Sequence, residues 1–247
     1  MRARSKLVSG TPAARTGRAA GKGAVVVRLP PAERRARILA RATDFFAEYG
    51  LTAQTRALAA ACGVAQRLLY RYFSSKAALL DDVYREAIVS PFKAVWLVQL
   101  RDRGRPLEQR LLEFYQNYYD TVLTRKWLRL FLYASLAEAR MAPDYISAIV
   151  FELLETIVRE AAHEMKVDLP KDPALLHEVG WMLHGAVSHL AIRRHLYSAS
   201  PDVAEQRVLA LHVRGWLGGF ASLAARARDF EAVARLSRMP TGASPCP

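Results

Sequence analysis

The sequence predicts an all-α fold. Apolar residues recur at three- and four-residue spacing through most of the chain. Prolines stand where such patterns begin, at Pro31, Pro106, Pro143, Pro173 and Pro201, and no stretch shows the sustained alternation or hairpin turns of a sheet. With 247 residues the chain has room for one large domain or two modest ones.

Residues 1–30 mix Gly, Ala, Ser, Arg and Lys without apolar periodicity and are expected to form a disordered basic arm. Pro31 suits a first helical turn, and Ile38, Ala42, Phe45 and Tyr49 then follow at i, i+4, i+7 and i+11, giving a helix over 32–49 that Gly50 stops. Three short helices are expected next. The first, over 55–62, is Ala-rich and ends at Gly63, where a C-cap glycine belongs. The second, over 64–73, sets Leu69 and Phe73 on one face, and the third follows Ser74 or Ser75, either of which suits an N-cap. Leu79, Leu80, Val83, Tyr84, Ala87 and Ile88 mark that third helix, and Pro91 closes the segment. Helices this short are marginal alone, so they must pack on the 32–49 helix as one unit. Longer helices are expected over 106–123, 125–140, 143–165, 173–197 and 201–236, with Asp172 and Ser200 as N-caps, and residues 237–247 as a flexible tail. The expected organisation is therefore an arm (1–30), a small helical domain (31–90), a helical body (91–236) and a tail.

Thirty-six Lys and Arg against 23 Asp and Glu give a net charge of +13, which points to a polyanionic partner. The excess is N-terminal: residues 1–30 hold seven basic residues and no acid, 31–90 hold nine against six, and 91–247 hold 20 against 17. Cys62 and Cys246 make no disulfide framework or zinc motif, so a reducing compartment fits. The apolar stretch 23–27 is too short for a secretory h-region, and no uninterrupted apolar run nears the ~18 residues of a membrane span. A cytoplasmic protein without a membrane partner is the expectation.

Helix, glycine turn and helix around Gly63 form the arrangement that places a second helix in a DNA major groove. Such corners also occur in ordinary helical bundles. With Leu69 as the core direction, Arg67 lies about 160° and Arg71 about 200° around the helix, so both point outward, flanked by Gln66 and Tyr70. Arg can pair bidentately with guanine and Gln with adenine, while Tyr and Lys suit phosphate.

The run Leu58-Ala59, Cys62-Gly63-Val64, Leu69 to Phe73, Ser75-Lys76 and Leu79-Leu80, preceded by Ile38, Ala42, Phe46 and Gly50, resembles the DNA-binding domain of the tetracycline-repressor (TetR) family. The resemblance covers residues 33 to 88. It implies that Thr55 and Arg56 contact phosphate or base, that Gln66, Arg67 and Leu68 occupy base-reading positions, and that Tyr70, Tyr72 and Lys76 anchor the DNA backbone. Leu68 departs from the small or hydroxyl residue usual there; it could touch a thymine methyl or pack. Ala65 replaces the usual Ser or Thr cap of the recognition helix, and Ala77-Ala78 replace the acidic residues that often follow the Lys; each lost cap costs about 1 kcal/mol. Helix ordering on DNA is one expected consequence. Cys62, at the helix-turn junction, is expected to pack rather than to sense redox.

The body shows no catalytic motif, metal cluster or cofactor loop, so neither enzyme chemistry nor a cofactor is expected. His177, Trp181, His184, Ser188, Ala191 and His195 share one stripe of the 173–197 helix. They could line a pocket or dimer seam, or form an ordinary amphipathic boundary. Phe114, Tyr118, Trp127, Phe131, Phe151, Trp181 and His184 are the candidate lining of an apolar ligand cavity, although core packing explains most of them equally well. Apolar residues on several faces of the last two helices, with Gly215, Gly218 and Gly219 allowing close approach, suggest a homodimer, as the resemblance also implies. The expected function is a sequence-specific DNA-binding regulator, a repressor of a near-palindromic operator released by an apolar or aromatic small molecule. Two alternatives stay open: a helical binder or enzyme retaining only the helical corner, and an architectural DNA binder driven by the arm.

Overall fold

A computed structural model describes residues 30–137, 141–197 and 203–237, and every regular element among them is helical. The arm up to residue 29, Ser200 and Pro201, the tail from residue 238 and Cys246 lie outside the described residues.

Helix α1 (Pro31–Tyr49) opens on Pro31, whose missing N–H belongs to the unpaired first turn, and buries Ile38, Leu39, Ala42, Phe45 and Phe46. Short helices α2 (Thr55–Ala61), α3 (Gln66–Tyr72) and α4 (Lys76–Val83) add Leu58, Leu69, Phe73 and Leu79 to that cluster, supplying the burial that such lengths need. Helix α4 runs on as π-helix through Tyr84–Val89. Asp82, on the core side of α4, takes the guanidinium groups of Arg35 from α1 and Arg85 from the next turn, which ties the two helices together.

The body contains α5 (Val95–Leu100), α6 (Leu107–Thr121), α7 (Arg125–Leu136), α8 (Met141–Tyr145), α9 (Phe151–Met165), α10 (Pro173–His195) and α11 (Glu205–Ser237). Helix α8 passes through a π-helical stretch, Ile146–Val150, into α9. Helix α10 packs between α9 and α11, α6 packs on α11, and α7 reaches back onto α1, so one continuous core joins both halves. At Gly180 the crossing of α10 and α9 is so close that a Cβ would stand 2.8 Å from Leu154 Cβ.

The structure differs from the sequence expectation at several ends. Helix α5 was not expected: its Val-Trp-Leu-Val-Gln-Leu run is too short to display a period, yet it buries Trp96, Leu97 and Leu100. The 143–165 helix begins at Met141 with Pro143 inside its first turn, where proline is tolerated. The 125–140 helix ends at Leu136 and the 201–236 helix starts at Glu205. The capping hydroxyl of α4 is that of Ser75, accepting from Ala78 N–H at 3.0 Å; Asp172 caps α10 through Ala174 N–H at 2.9 Å, and Thr124 caps α7. Helix α6 has no capping side chain of its own at Pro106; instead the Glu164 carboxylate from α9 accepts Leu107 N–H at 3.1 Å.

Over Glu205–Val233, α11 is long enough to cross a membrane and contains an 18-residue stretch apolar enough to do so, with a mean hydropathy of 1.3, by length and composition alone. Its apolar residues divide into two stripes. Leu209, Val213, Trp216, Phe220 and Ala224 enter the core, while Leu211, Gly215 and Gly218 face outward.

Candidate nucleic-acid interface and an apolar cavity

The turn between α2 and α3 follows from its residues. Gly63 takes φ +67°, and its N–H donates to Ala60 O at 2.9 Å while Val64 N–H donates to Ala59 O at 3.0 Å, which closes α2 in a Schellman motif. A Cβ at Gly63 would also meet Arg41 Nη1 at 3.0 Å. That guanidinium donates to Cys62 O at 3.3 Å and braces the turn from α1. Cys62 is buried, its thiol directed at Ile38 O and its pKa raised by burial, as its expected packing role requires.

Leu69, 2% exposed, fixes which face of α3 turns inward. Gln66, Arg67, Tyr70 and Arg71 are then exposed, and Arg56 is exposed on α2. Among the described residues, no ion pair or hydrogen bond engages the side chains of Arg56, Gln66, Arg67 or Arg71. Tyr70 Oη lies 3.5 Å from Thr55 Oγ1, linking the outer face of α3 to the half-buried start of α2. Leu68 is half-buried beside the exposed face. Tyr72 packs half-buried against the core, and Lys76, also half-buried, donates from Nζ to Ala53 O at 2.8 Å with the Phe46 ring centroid 6.0 Å away. Arg56, Gln66, Arg67 and Tyr70 are thus exposed, Tyr70 linking α3 to the half-buried Thr55, while Tyr72 and Lys76 are half-buried. Ala65 gives α3 no side-chain cap, as its residue type dictates. Arg41 and Asp82 carry structural roles that the sequence pattern did not single out, although a carboxylate beside Leu79 and Val83 on a core face demands a partner.

A cavity of about 120 Å³ lies within the body, bounded by α6, α7, α10 and the stretch between α8 and α9. Tyr118, Trp127, Phe131, Trp181 and His184 line it, as do Ser188 and Tyr145. Phe114 lies outside the lining and stacks on Tyr118 at 5.4 Å; Phe151 also lies outside and stacks on His177 at 4.2 Å. His177 Nε2 lies 3.1 Å from Glu155 Oε1, and His195 packs beside the Tyr119 ring, so the histidine stripe divides among separate surroundings. His184 is 2% exposed, its Nδ1 has no hydrogen-bond partner, and burial pushes its pKa down to about 4. Among the described residues no group of three or more His, Cys, Asp or Glu is placed to hold a metal ion.

Helix α7 joins this cavity to the small domain. Trp127 walls the cavity on one side and on the other a groove of about 820 Å³ between α1 and the body. Its indole N–H donates to Ile88 O at 3.1 Å, at the end of the π-helical stretch. Arg129, half a turn on, donates to the carbonyls of Ala47 and Glu48 at the end of α1, and Lys126 pairs with Asp44.

Residues 38–83 match the family of bacterial regulatory proteins described as tetR. No curated protein matches the chain. Among solved structures, a TetR-like transcriptional regulator from Rhodococcus sp. RHA1 is similar at TM-score 0.59 and 20% identity, covering 78% of this chain and 100% of that one. A tetR-family transcriptional regulator from Streptomyces coelicolor is similar at 0.53 and 19%, covering 86% and 92%. The fatty acid degradation regulator FadR from Bacillus halodurans is similar at 0.54 and 17%, covering 78% and 96%.

Proposed function

We infer, for a chain whose N-terminal domain belongs to the tetR family of bacterial regulatory proteins, that this DNA-binding regulator is a cytoplasmic repressor released from its operator by a small molecule. The observation that carries the reading is the outward face of α3. Gln66, Arg67 and Arg71 are exposed and unengaged among the described residues, and Tyr70 is exposed with its hydroxyl on Thr55, on a helix whose opposite side is locked by Leu69 and whose approach is set by the Gly63 turn. Side chains held ready in this way suit base edges and phosphates.

A homodimer through α10 and α11 would carry two such helices, and a near-palindromic operator would match its two-fold symmetry. Supporting it, Met182 on α10 and Leu211 on α11 are 55% and 68% exposed, beside Gly215 and Gly218 with open space around them. Release would follow from a difference in affinity. A ligand in the cavity that binds better when α7 has shifted against α1 favours a spacing of recognition helices unsuited to the operator, and weakens DNA binding by that difference alone. Trp127 and Arg129 are the residues through which such a shift passes.

Footprinting of the purified protein on the DNA upstream of its own gene tests the reading. A protected, near-symmetric site is expected. Uniform protection of the whole fragment would support an architectural binder instead.

A further inference from the structure

We infer that the cavity walled by Trp127, Phe131, Trp181 and His184 takes a neutral, single-ring aromatic molecule bearing a hydroxyl group, with that hydroxyl on the His184 imidazole. The proposal rests on the effector-released regulator described above and names the class of its effector.

Size comes first. The cavity measures about 120 Å³. An apolar cavity of about 150 Å³ holds benzene, so this slightly smaller, partly open space takes one six-membered ring with a small outward shift of its walls and is too small for fused rings. Its walls suit such a ring: Trp127 and Phe131 stack parallel at 4.7 Å, and Trp181 meets the His184 ring edge-on at 5.4 Å. Flat ligands gain from offset or edge contacts with walls of this kind.

Charge comes second. No Lys, Arg, Asp or Glu side chain lines the cavity. An ionised ligand would lose its hydration without a counter-charge, and burial holds the His184 ring neutral at ordinary pH, so it offers none.

The hydroxyl follows from a buried ring in the lining that makes no hydrogen bond among the described residues. Tyr118 and Tyr145 hydroxyls stand 3.5 Å from each other, whereas the His184 ring, 2% exposed, makes no hydrogen bond among the described residues. A buried polar atom left without a partner is costly, and a ligand that supplies one recovers that cost. A hydroxyl serves either imidazole tautomer, because it can donate to a bare nitrogen or accept from an N–H.

The test titrates the full-length protein at pH 7 with phenol, toluene, benzoate and decanoate, reading tryptophan fluorescence and heat of binding. Phenol is expected to bind about ten-fold more tightly than toluene, the ratio that one satisfied buried hydrogen bond gives, and more tightly than either carboxylate. His184→Leu is expected to erase the preference for phenol while keeping toluene binding. The wild-type series stands alone if that variant does not fold. Equal affinity for phenol and toluene, tighter binding of benzoate or decanoate, or no binding of any of the four overturns the proposal. Affinity of the ligand-free protein for its upstream DNA is measured alongside. Selective DNA binding with failed phenol binding removes the effector class and leaves the regulator standing. Phenol binding with unselective DNA binding supports the cavity chemistry and removes the regulator.

Discussion

Arg67 and Lys76 are both basic, but of the two only Lys76 is engaged within the domain among the described residues. Arg67 is exposed on α3, whereas the Lys76 ammonium is turned to Ala53 O. Arg67→Ala or Gln66→Ala is therefore expected to cost about 1–3 kcal/mol of operator affinity and to relax base preference at one position, with thermal stability unchanged. Lys76→Ala should instead lower the melting temperature, which differential scanning fluorimetry would detect. The outward phase of Arg67 was legible in the sequence because helix geometry alone determines it once Leu69 is taken as core. The inward turn of Lys76 was not, since its partner is a backbone carbonyl 23 residues earlier. His184 carries a pH dependence. Its pKa is depressed by burial to about 4 in the folded protein against an ordinary 6.5, so below pH 6.5 the unfolded chain takes up a proton that the folded one refuses. Stability contributed by the neutral ring is full above pH 6.5 and falls by about 3 kcal/mol as pH drops to 4. Urea midpoints between pH 7 and 4.5 should fall more steeply for wild type than for His184→Leu; parallel profiles would contradict this.

At the scale of elements, α3 has seven residues and no capping side chain, so its order rests on Leu69 and Phe73 in the core. Ala65→Ser is expected to add about 1 kcal/mol by supplying an acceptor for the first turn, measured as a raised denaturation midpoint. Helix types and most starts were legible because proline and apolar spacing are local signals. Helix α5 was not, because six residues hold less than two turns, and neither was the Glu164 cap on α6, which comes from 57 residues away. The same limit applied to the cavity: five of its aromatic and histidine side chains could be named from helix stripes, yet nothing local distinguished them from Phe114 and Phe151, which stack just outside it. Helix α7 faces the cavity on one side and α1 on the other. Arg129→Ala, which removes the bonds to Ala47 and Glu48, is expected to leave ligand affinity intact and to reduce the effect of ligand on DNA binding by several-fold, seen by comparing operator affinity with and without ligand.

For the molecule as a whole, the net charge of +13 suggested a polyanion, but its distribution separates attraction from reading. The seven basic residues of the first 30 can add salt-dependent affinity, whereas sequence preference has to come from a few side chains on α2 and α3. The outward stripe of α11 explains why that helix is apolar on more than one side. If α10 and α11 pair two copies as proposed, Gly218→Arg on this exposed stripe is expected to give a monomer in sedimentation equilibrium and to weaken operator binding sharply, since each half-site would then bind alone. On the proposed function, α3 reads sequence. Equilibrium affinity for the upstream DNA and for a shuffled duplex of equal length, at one salt concentration, tests it most directly. Wild type should prefer the upstream DNA by about 10³-fold or more, with the ratio reduced in Arg67→Ala. Equal affinity for the two duplexes would contradict it.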